Sequence, residues 1–461
     1  MKIGLEIHLQ LNTDSKLFCG CTTSENSPNK NTCPICLGHP GSKPMLNKKA
    51  LIYALKLCVA LGCEINKKTY FSRKVYFYPD LSKNFQITQY EMPLAFKGSV
   101  KLKSGKLINL QRIHIEEDPA SIIYEQGTMD SQSLIDYNRS GIPLVEIVTE
   151  PCMSSPGEAR DFLKELIKIV KYLGIFDENN GVMKCDLNIS VGNHSRVEVK
   201  NVSGFKNAER ALNYELMRQK IVLKKGKTPG VETHAWDGKK TFLLRKKESE
   251  DDYGYITEPD LPVININDEL LTDIRKQVPE LPHIRSLKYI NDYKIDEDDA
   301  EVISAELDLA KLFEKVAKEI NPKLAAKWLR KELLRVINYN KSSIKELKFD
   351  EKELIELLNL LESNVITEKT AKKIMEKLMI KRFSPKQYVE KNNLSLITSE
   401  DKIKEACLIV INENKKAVED YFAGEEKSYH FLLGKAMKLT KGKVEPALTN
   451  KIMKQELGKI K

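Results

Sequence analysis

No stretch of this 461-residue chain is apolar for long enough to cross a bilayer, which takes about 20 consecutive residues. Met1 leads directly into an amphipathic segment, with no basic and apolar leader ahead of it. These two absences predict a cytoplasmic protein without a membrane partner. Neither standard phosphate cradle occurs, since G-x-x-x-x-G-K-[ST] and G-x-G-x-x-G are both missing. A nucleotide would therefore have to be held by a sheet and its side chains. No serine sits in a nucleophile elbow, and Ser195 beside His194 has no such setting, which argues against a hydrolase triad. The nine cysteines are an odd count, and four crowd into positions 19 to 36, a poor disulfide framework.

What is present is a folded composition, 41% hydrophobic and 30% charged, long enough for two or three domains. The formal charge of +10 is unevenly spread: residues 431–461 hold eight lysines against two glutamates. A basic terminal segment on a nearly balanced body suggests an acidic partner such as nucleic acid, or simply a lysine-rich surface.

From Lys2 to Asn12 the side chains alternate without a break, with Ile3, Leu5, Ile7, Leu9 and Leu11 apolar. That predicts a strand with one buried face and places Glu6 and His8 together on the other. The pattern recurs. Arg112, His114, Glu116 and Asp118 share a face, Glu117 breaking the alternation, and so do Asp186, Asn188 and Ser190, then Arg196, Glu198 and Lys200. If these strands adjoin, Glu6, His8, Glu116, Asp186 and Glu198 gather on one surface. So many carboxylates repel one another unless cations neutralise them, and magnesium is the economical choice beside nucleotide phosphates. Arg196, Lys200 and Arg245 are then candidates to meet phosphate oxygens. The competing reading is a solvated sheet face.

Cys19-Gly-Cys21 and Cys33-Pro-Ile-Cys36 give two close thiolate pairs, which suit a structural tetrahedral zinc; unmetallated buried thiols are the alternative. Helices are expected over Lys48 to Leu61, Gly157 to Leu173 with Ser155 capping, and Lys206 to Arg218. Beyond about residue 290 helical periodicity takes over, with Pro322 to Asn338, Asp350 to Leu361 and Thr367 to Lys381 amphipathic, and Asn392 to Ser399 a linker. The reading is α+β, an antiparallel-rich mixed sheet followed by helices.

Taken together, the motifs resemble the B subunit of the tRNA-dependent amidotransferases. The resemblance spans the chain and rests on Gly4-Leu-Glu-Ile-His8, the Cys19 to Gly38 cluster, Arg73-Lys-Val-Tyr-Phe-Tyr-Pro-Asp80, Gln86-Ile-Thr-Gln89, Arg112-Ile-His-Ile-Glu-Glu-Asp118, Asn138 to Pro151, Lys184-Cys-Asp-Leu-Asn188, Glu198-Val-Lys-Asn201 and Glu258-Pro-Asp-Leu-Pro262. It implies a cradle domain related to glutamine synthetase at 1–290 with a zinc-binding insertion at 19–36, a helical domain at 291–395, and a tRNA-binding tail at 396–461. It also implies an ATP-dependent carbon–nitrogen ligase. The B subunit of that family phosphorylates the side-chain carboxylate of mischarged Asp-tRNA(Asn) or Glu-tRNA(Gln) and lets ammonia displace the phosphate. The ammonia comes from glutamine through an amidase A subunit, and a small C subunit completes a heterotrimer.

Carried onto this chain, the resemblance puts Glu6, His8, Glu116 and Glu117 at magnesium positions, with Glu150 and Asp186 as further ligands. Glu146, Glu198 and Lys200 join the catalytic set, and Arg196, Lys200, Arg245 and Glu248 bind nucleotide. The chain departs from the family pattern at Pro119-Ala-Ser121 and Tyr124, and at Gly254, where an arginine usually stands between tyrosines; either another cation such as Arg245 or Lys247 substitutes for it, or its role is not needed. The rival function is a noncatalytic zinc-containing tRNA-binding protein.

Overall fold

The computed structural model describes residues 1–24, 26–124, 133–177, 181–246, 253–396, 400–440, 444 and 446–460. The chain divides into two compact units, Met1–Leu281 and Pro282–Lys461.

The first unit is built on a ten-stranded mixed sheet. Its order runs Thr241–Lys246, Glu232–Trp236, Val197–Ser203, Met183–Ser190, Lys2–Gln10, Pro143–Thr149, Leu107–Glu117, Ala95–Phe96 and Glu64–Ile65, with Ser99–Lys101 also paired to Leu107–Glu117. All these pairings are antiparallel except that of Val197–Ser203 with Glu232–Trp236. The opening strand lies at the centre. Its Ile3, Leu5, Ile7 and Leu9 are at most 1% exposed, as period-2 patterning requires of a face turned to the core.

Three helices supply the apolar cover, Lys48–Ala60, Pro156–Tyr172 and Phe205–Lys224. Asn47 caps the first by accepting from Lys49 N and Ala50 N, and Ser155 caps the second, with Pro156 in its first turn. The third runs six residues past the expected end at Arg218. There the buried Glu215 accepts from Arg218 and Gln219 and holds the helix to the sheet edge through Thr241.

On the opposite, polar side lies a small sheet of Gly254–Thr257, Ser72–Val75 and Phe85–Thr88. Arg73 fastens it: its Nε and Nη2 donate to Glu258 at 2.7 and 2.9 Å, and Glu258 is 2% exposed. This small sheet roofs the face that carries Glu6 and His8.

The second unit is helical and holds two separate apolar clusters, one within residues 289–394 and one within 403–457. Glu297–Ser304 begins with Glu297, Asp298 and Asp299 in its first turn, where carboxylates favour the helix dipole. The helix expected from Pro322 contains a π turn at Leu329–Leu333 before ending at Tyr339. Asp350 caps Glu351–Glu362, and Thr367 caps Glu368–Leu378.

Candidate active site

Antiparallel register brings the polar faces together. Glu6 lies opposite Asp186, His8 opposite Glu146, and Glu146 in turn opposite His114. One strand further out, Asn188 lies opposite Glu198. Facing residues in a ladder point to the same side, so these groups share one surface. The result is two donor groups, His8 with Glu116 and Glu146, and Glu6 with Asp186 and Glu198. Within each, the donor atoms lie within 4.8 Å of one another.

In the first group, His8 Nε2 is 3.5 Å from Glu116 Oε1 and 3.3 Å from Glu146 Oε2. His114 Nε2 approaches the same two carboxylates at 3.6 and 3.3 Å. Burial opposes protonation of both imidazoles most strongly, yet hydrogen bonds and charge from Glu146 and Glu116 outweigh it. His8 is pushed up to about 10 and His114 to about 9. Glu146 is held well below the usual carboxylate range, because the two histidines overcome its own burial.

In the second group, burial and then the charges of Glu146, Asp186 and Glu198 push Glu6 up to about 7. Asn188 Nδ2 donates to Glu6 Oε1 at 3.0 Å, while Asn188 Oδ1 is buried without a partner. Lys200 Nζ sits 3.6 Å from Asp186 and 3.4 Å from Glu198; burial works against its charge, but the two carboxylates outweigh that and raise its affinity for the proton. A shift in register beside Asp186 lets Asn201, at φ 57°, donate its backbone N–H to Asp186 Oδ1 at 2.7 Å.

These side chains line a cavity of about 200 Å³. From the roof, Lys74, Thr88, Gln89, Tyr90, Tyr253 and Tyr255 complete it. Thr88 Oγ1 donates to Glu116 at 3.2 Å, Tyr90 stacks on Tyr255 with centroids 3.7 Å apart, and Lys74 lies 4.6 Å over the Tyr253 ring. Arg112 and Arg196 also line the cavity.

Among the sequence-based candidates, Glu6, His8, Glu116, Glu146, Asp186, Arg196, Glu198 and Lys200 therefore meet. Glu117 is elsewhere. Its neighbour Glu116 faces the cavity, so Glu117 faces the other way, where Lys83 lies 2.7 Å away and Ile87 N donates at 2.9 Å. The magnesium role expected of it is not served by that position. Glu150 is exposed just beyond its strand, and Arg245 is exposed on the edge strand; neither is among the described residues lining the cavity. Glu248 and Lys247 lie outside the described residues.

The sequence places His114 on the face of Glu116 without bringing it to Glu146, and it shows the roof segments only as motifs, not as a cover over this face. The signal for His114 was its place two residues before Glu116 on one strand face.

The donor sets fit the ions they suggest. Octahedral magnesium at about 2.1 Å from oxygen places neighbouring ligands about 3 Å apart and opposite ones about 4.2 Å apart, and the donors of each group, all-carboxylate in one and two carboxylates with His8 in the other, lie within 4.8 Å of one another. The sulfurs of Cys19, Cys21, Cys33 and Cys36 likewise lie within 4.8 Å of each other, where tetrahedral zinc requires about 3.8 Å. Cys36 is held below its ordinary value, chiefly by the hydrogen bond with Cys19, with the Cys33 N–H and Lys16 assisting against burial.

Residues 1–272 match the family model described as the GatB/GatE catalytic domain, and residues 311–457 match the GatB domain. The chain is 43% identical over 463 residues to the B subunit of the aspartyl/glutamyl-tRNA(Asn/Gln) amidotransferase of Methanothermobacter thermautotrophicus, covering 99% of this chain and 100% of that one. It is 42% identical over 472 residues to the protein of the same name from a Thermoanaerobacter species, covering 99% of each, and 41% over 473 residues to that of Thermotoga neapolitana, covering 99% and 98%.

Proposed function

The chain belongs to the B-subunit family of the aspartyl/glutamyl-tRNA(Asn/Gln) amidotransferases, and on that premise we propose that its cavity activates a tRNA-borne carboxylate with ATP. The reaction assigned to it is a carbon–nitrogen ligation. A side-chain carboxylate oxygen of mischarged Asp-tRNA(Asn) or Glu-tRNA(Gln) attacks the γ-phosphorus of ATP, and ADP leaves. Ammonia then attacks the acyl carbon, phosphate leaves, and the amidated aminoacyl-tRNA results.

The observation that carries this reading is the pair of adjacent three-donor groups on neighbouring strands of one sheet. Magnesium held there would screen the negative charge of the ATP phosphates from the incoming carboxylate. The protein's own part is positional. Glu6, Asp186 and Glu198 hold one ion, and His8, Glu116 and Glu146 the other. Lys200 balances the acidic pair beside it, and Arg196, Arg112 and Lys74 supply cations for phosphate oxygens on a cavity wall of ordered strands. The stacked Tyr90 and Tyr255 narrow the cavity and limit water.

Such a sheet face is of the kind used by glutamine synthetase. The wider assembly is read in the same way, with ammonia from an amidase A subunit acting on glutamine, a small C subunit, cytoplasmic location, zinc in the Cys19 to Cys36 cage, and a tRNA-binding tail at 396–461 beyond the helical domain at 291–395.

The test is amidation by the assembled complex on each mischarged tRNA, with ATP and magnesium present or withheld. Glu116→Gln and His8→Ala should abolish product while tRNA binding persists. Normal amidation in both variants would sink the site assignment, and tRNA binding without any ATP cleavage would favour a noncatalytic role.

A further inference from the structure

We propose that the buried ammonium of Lys16 balances the charge of the four-cysteine cage and is the group that keeps its metal bound. The inference rests on the zinc reading of that cage and goes beyond it.

Lysine is almost never fully buried without a countercharge, because removing an ammonium from water is costly. Lys16 is 0% exposed. An ammonium has three protons to donate and nothing to accept with, and all three of its directions are used. Nζ donates to Asn31 O at 2.8 Å, to Tyr137 O at 3.2 Å and to Cys36 Sγ at 3.6 Å. Two of these acceptors are neutral carbonyls. Among the described residues no carboxylate pairs with Lys16; the nearby Glu117 is committed to Lys83. Among the described residues, the sulfur of Cys36, as a thiolate, is therefore the only anionic partner offered to it.

The need is mutual. Zinc with four thiolates carries a net double negative charge, in a cage whose Cys36 is itself buried. One ammonium inside hydrogen-bonding range halves that charge and draws electron density from the sulfur it touches. The same side chain spans two pieces of chain, since Asn31 belongs to the cysteine loop and Tyr137 to the segment that follows Ser133–Asp136. The Cys36 carbonyl is anchored to that region too, accepting from Ser140 Oγ at 3.4 Å, and from Ser82 Oγ at 2.7 Å elsewhere in the chain.

The experiment uses the full-length protein with Lys16→Met, Lys16→Gln and Lys16→Arg. Zinc content is measured first: an unsubstituted protein without stoichiometric zinc overturns the zinc reading and this proposal together. Zinc release to excess 4-(2-pyridylazo)resorcinol is then timed. Removing an outer partner of a metal ligand typically changes affinity by about 10- to 100-fold, so Met and Gln should release zinc at least about tenfold faster. Arg, which keeps charge and donors, should restore most of the retention.

The cobalt-substituted proteins supply a readout that a mere packing role would leave unmoved. The thiolate-to-cobalt charge-transfer band should shift to lower energy in the Met and Gln variants and return in Arg, while the visible bands of tetrahedral cobalt stay in place. If Lys16→Met fails to fold, the Gln and Arg pair decides. Wild-type zinc retention and an unshifted band in Lys16→Gln would overturn the proposal.

Discussion

Adding magnesium to the metal-free protein should release protons in an amount set by Glu6, and that amount should fall as pH rises. A ligating carboxylate must be ionised. With its affinity midpoint pushed up to about 7, Glu6 is about nine-tenths protonated at pH 6, half at pH 7 and one-tenth at pH 8. Loading the Glu6, Asp186 and Glu198 group should therefore expel about 0.9, 0.5 and 0.1 proton at those three pH values.

The histidine group behaves differently. His8 sits at about 10, so stripping its proton at pH 7 would cost about three units, or roughly 4 kcal/mol. Magnesium prefers oxygen and gains little from one imidazole, so the acidic group fills first, and His8 remains an imidazolium between Glu116 and Glu146 until a second ion enters their group and displaces its proton. Calorimetric titration in buffers of different ionisation enthalpy, from pH 6 to 8, counts the protons directly. Release that is absent at pH 6, or that grows with pH, would refute the assignment of Glu6 as the titrating ligand.

The same shifts fix the sign of the metal-free stability profile. Glu6 and His8 both bind protons more tightly folded than unfolded, so stability falls as pH rises from 4.5 through about 7, and again from 6.5 through about 10.

Two further outcomes follow from other parts of the molecule. Arg73→Met leaves Glu258 buried without its bidentate partner and should destabilise the first unit by about 3 kcal/mol in urea unfolding, the low end for a broken buried pair; a loss under about 1 kcal/mol would show that the roof is held otherwise. In the tail, replacing exposed Lys427, Lys435, Lys438 and Lys451 by glutamine should weaken tRNA binding and flatten its dependence on salt, by roughly 0.7 to 0.9 in log–log slope for each phosphate no longer neutralised. An unchanged slope would remove the tail from the tRNA interface. Point changes are preferred to deleting residues 431–461, because Leu432, Ala436, Ile452, Met453 and Leu457 from that segment build the tail's own core.

What could be read from the sequence was whatever a local period encodes. Alternation over Lys2–Gln10 specified a strand, its buried face and the common side of Glu6 and His8, because a pleat allows only two directions. The caps at Ser155 and Asp350 were similarly local. Register was not local. Glu6 meets Asp186 and His8 meets Glu146 across long separations, and no period in either segment states which residue will face which. The roof escaped because strands of four residues, such as Ser72–Val75 and Phe85–Thr88, are too short to display a period.

Glu117 shows where a motif and the pleat disagree. Arg112-Ile-His-Ile-Glu-Glu-Asp118 offers two adjacent glutamates, and the motif alone treats them as a pair of ligands. Inside a strand they cannot be, since consecutive residues point to opposite faces. Glu116 enters the cavity, and Glu117 turns to Lys83 and to the backbone of Ile87 in Phe85–Thr88. That is the strand whose Thr88 donates to Glu116. One glutamate thus fastens the roof strand at the position from which its neighbour is oriented. The adjacency that turns Glu117 away from the cavity ties it to the strand that reaches Glu116 from the other side.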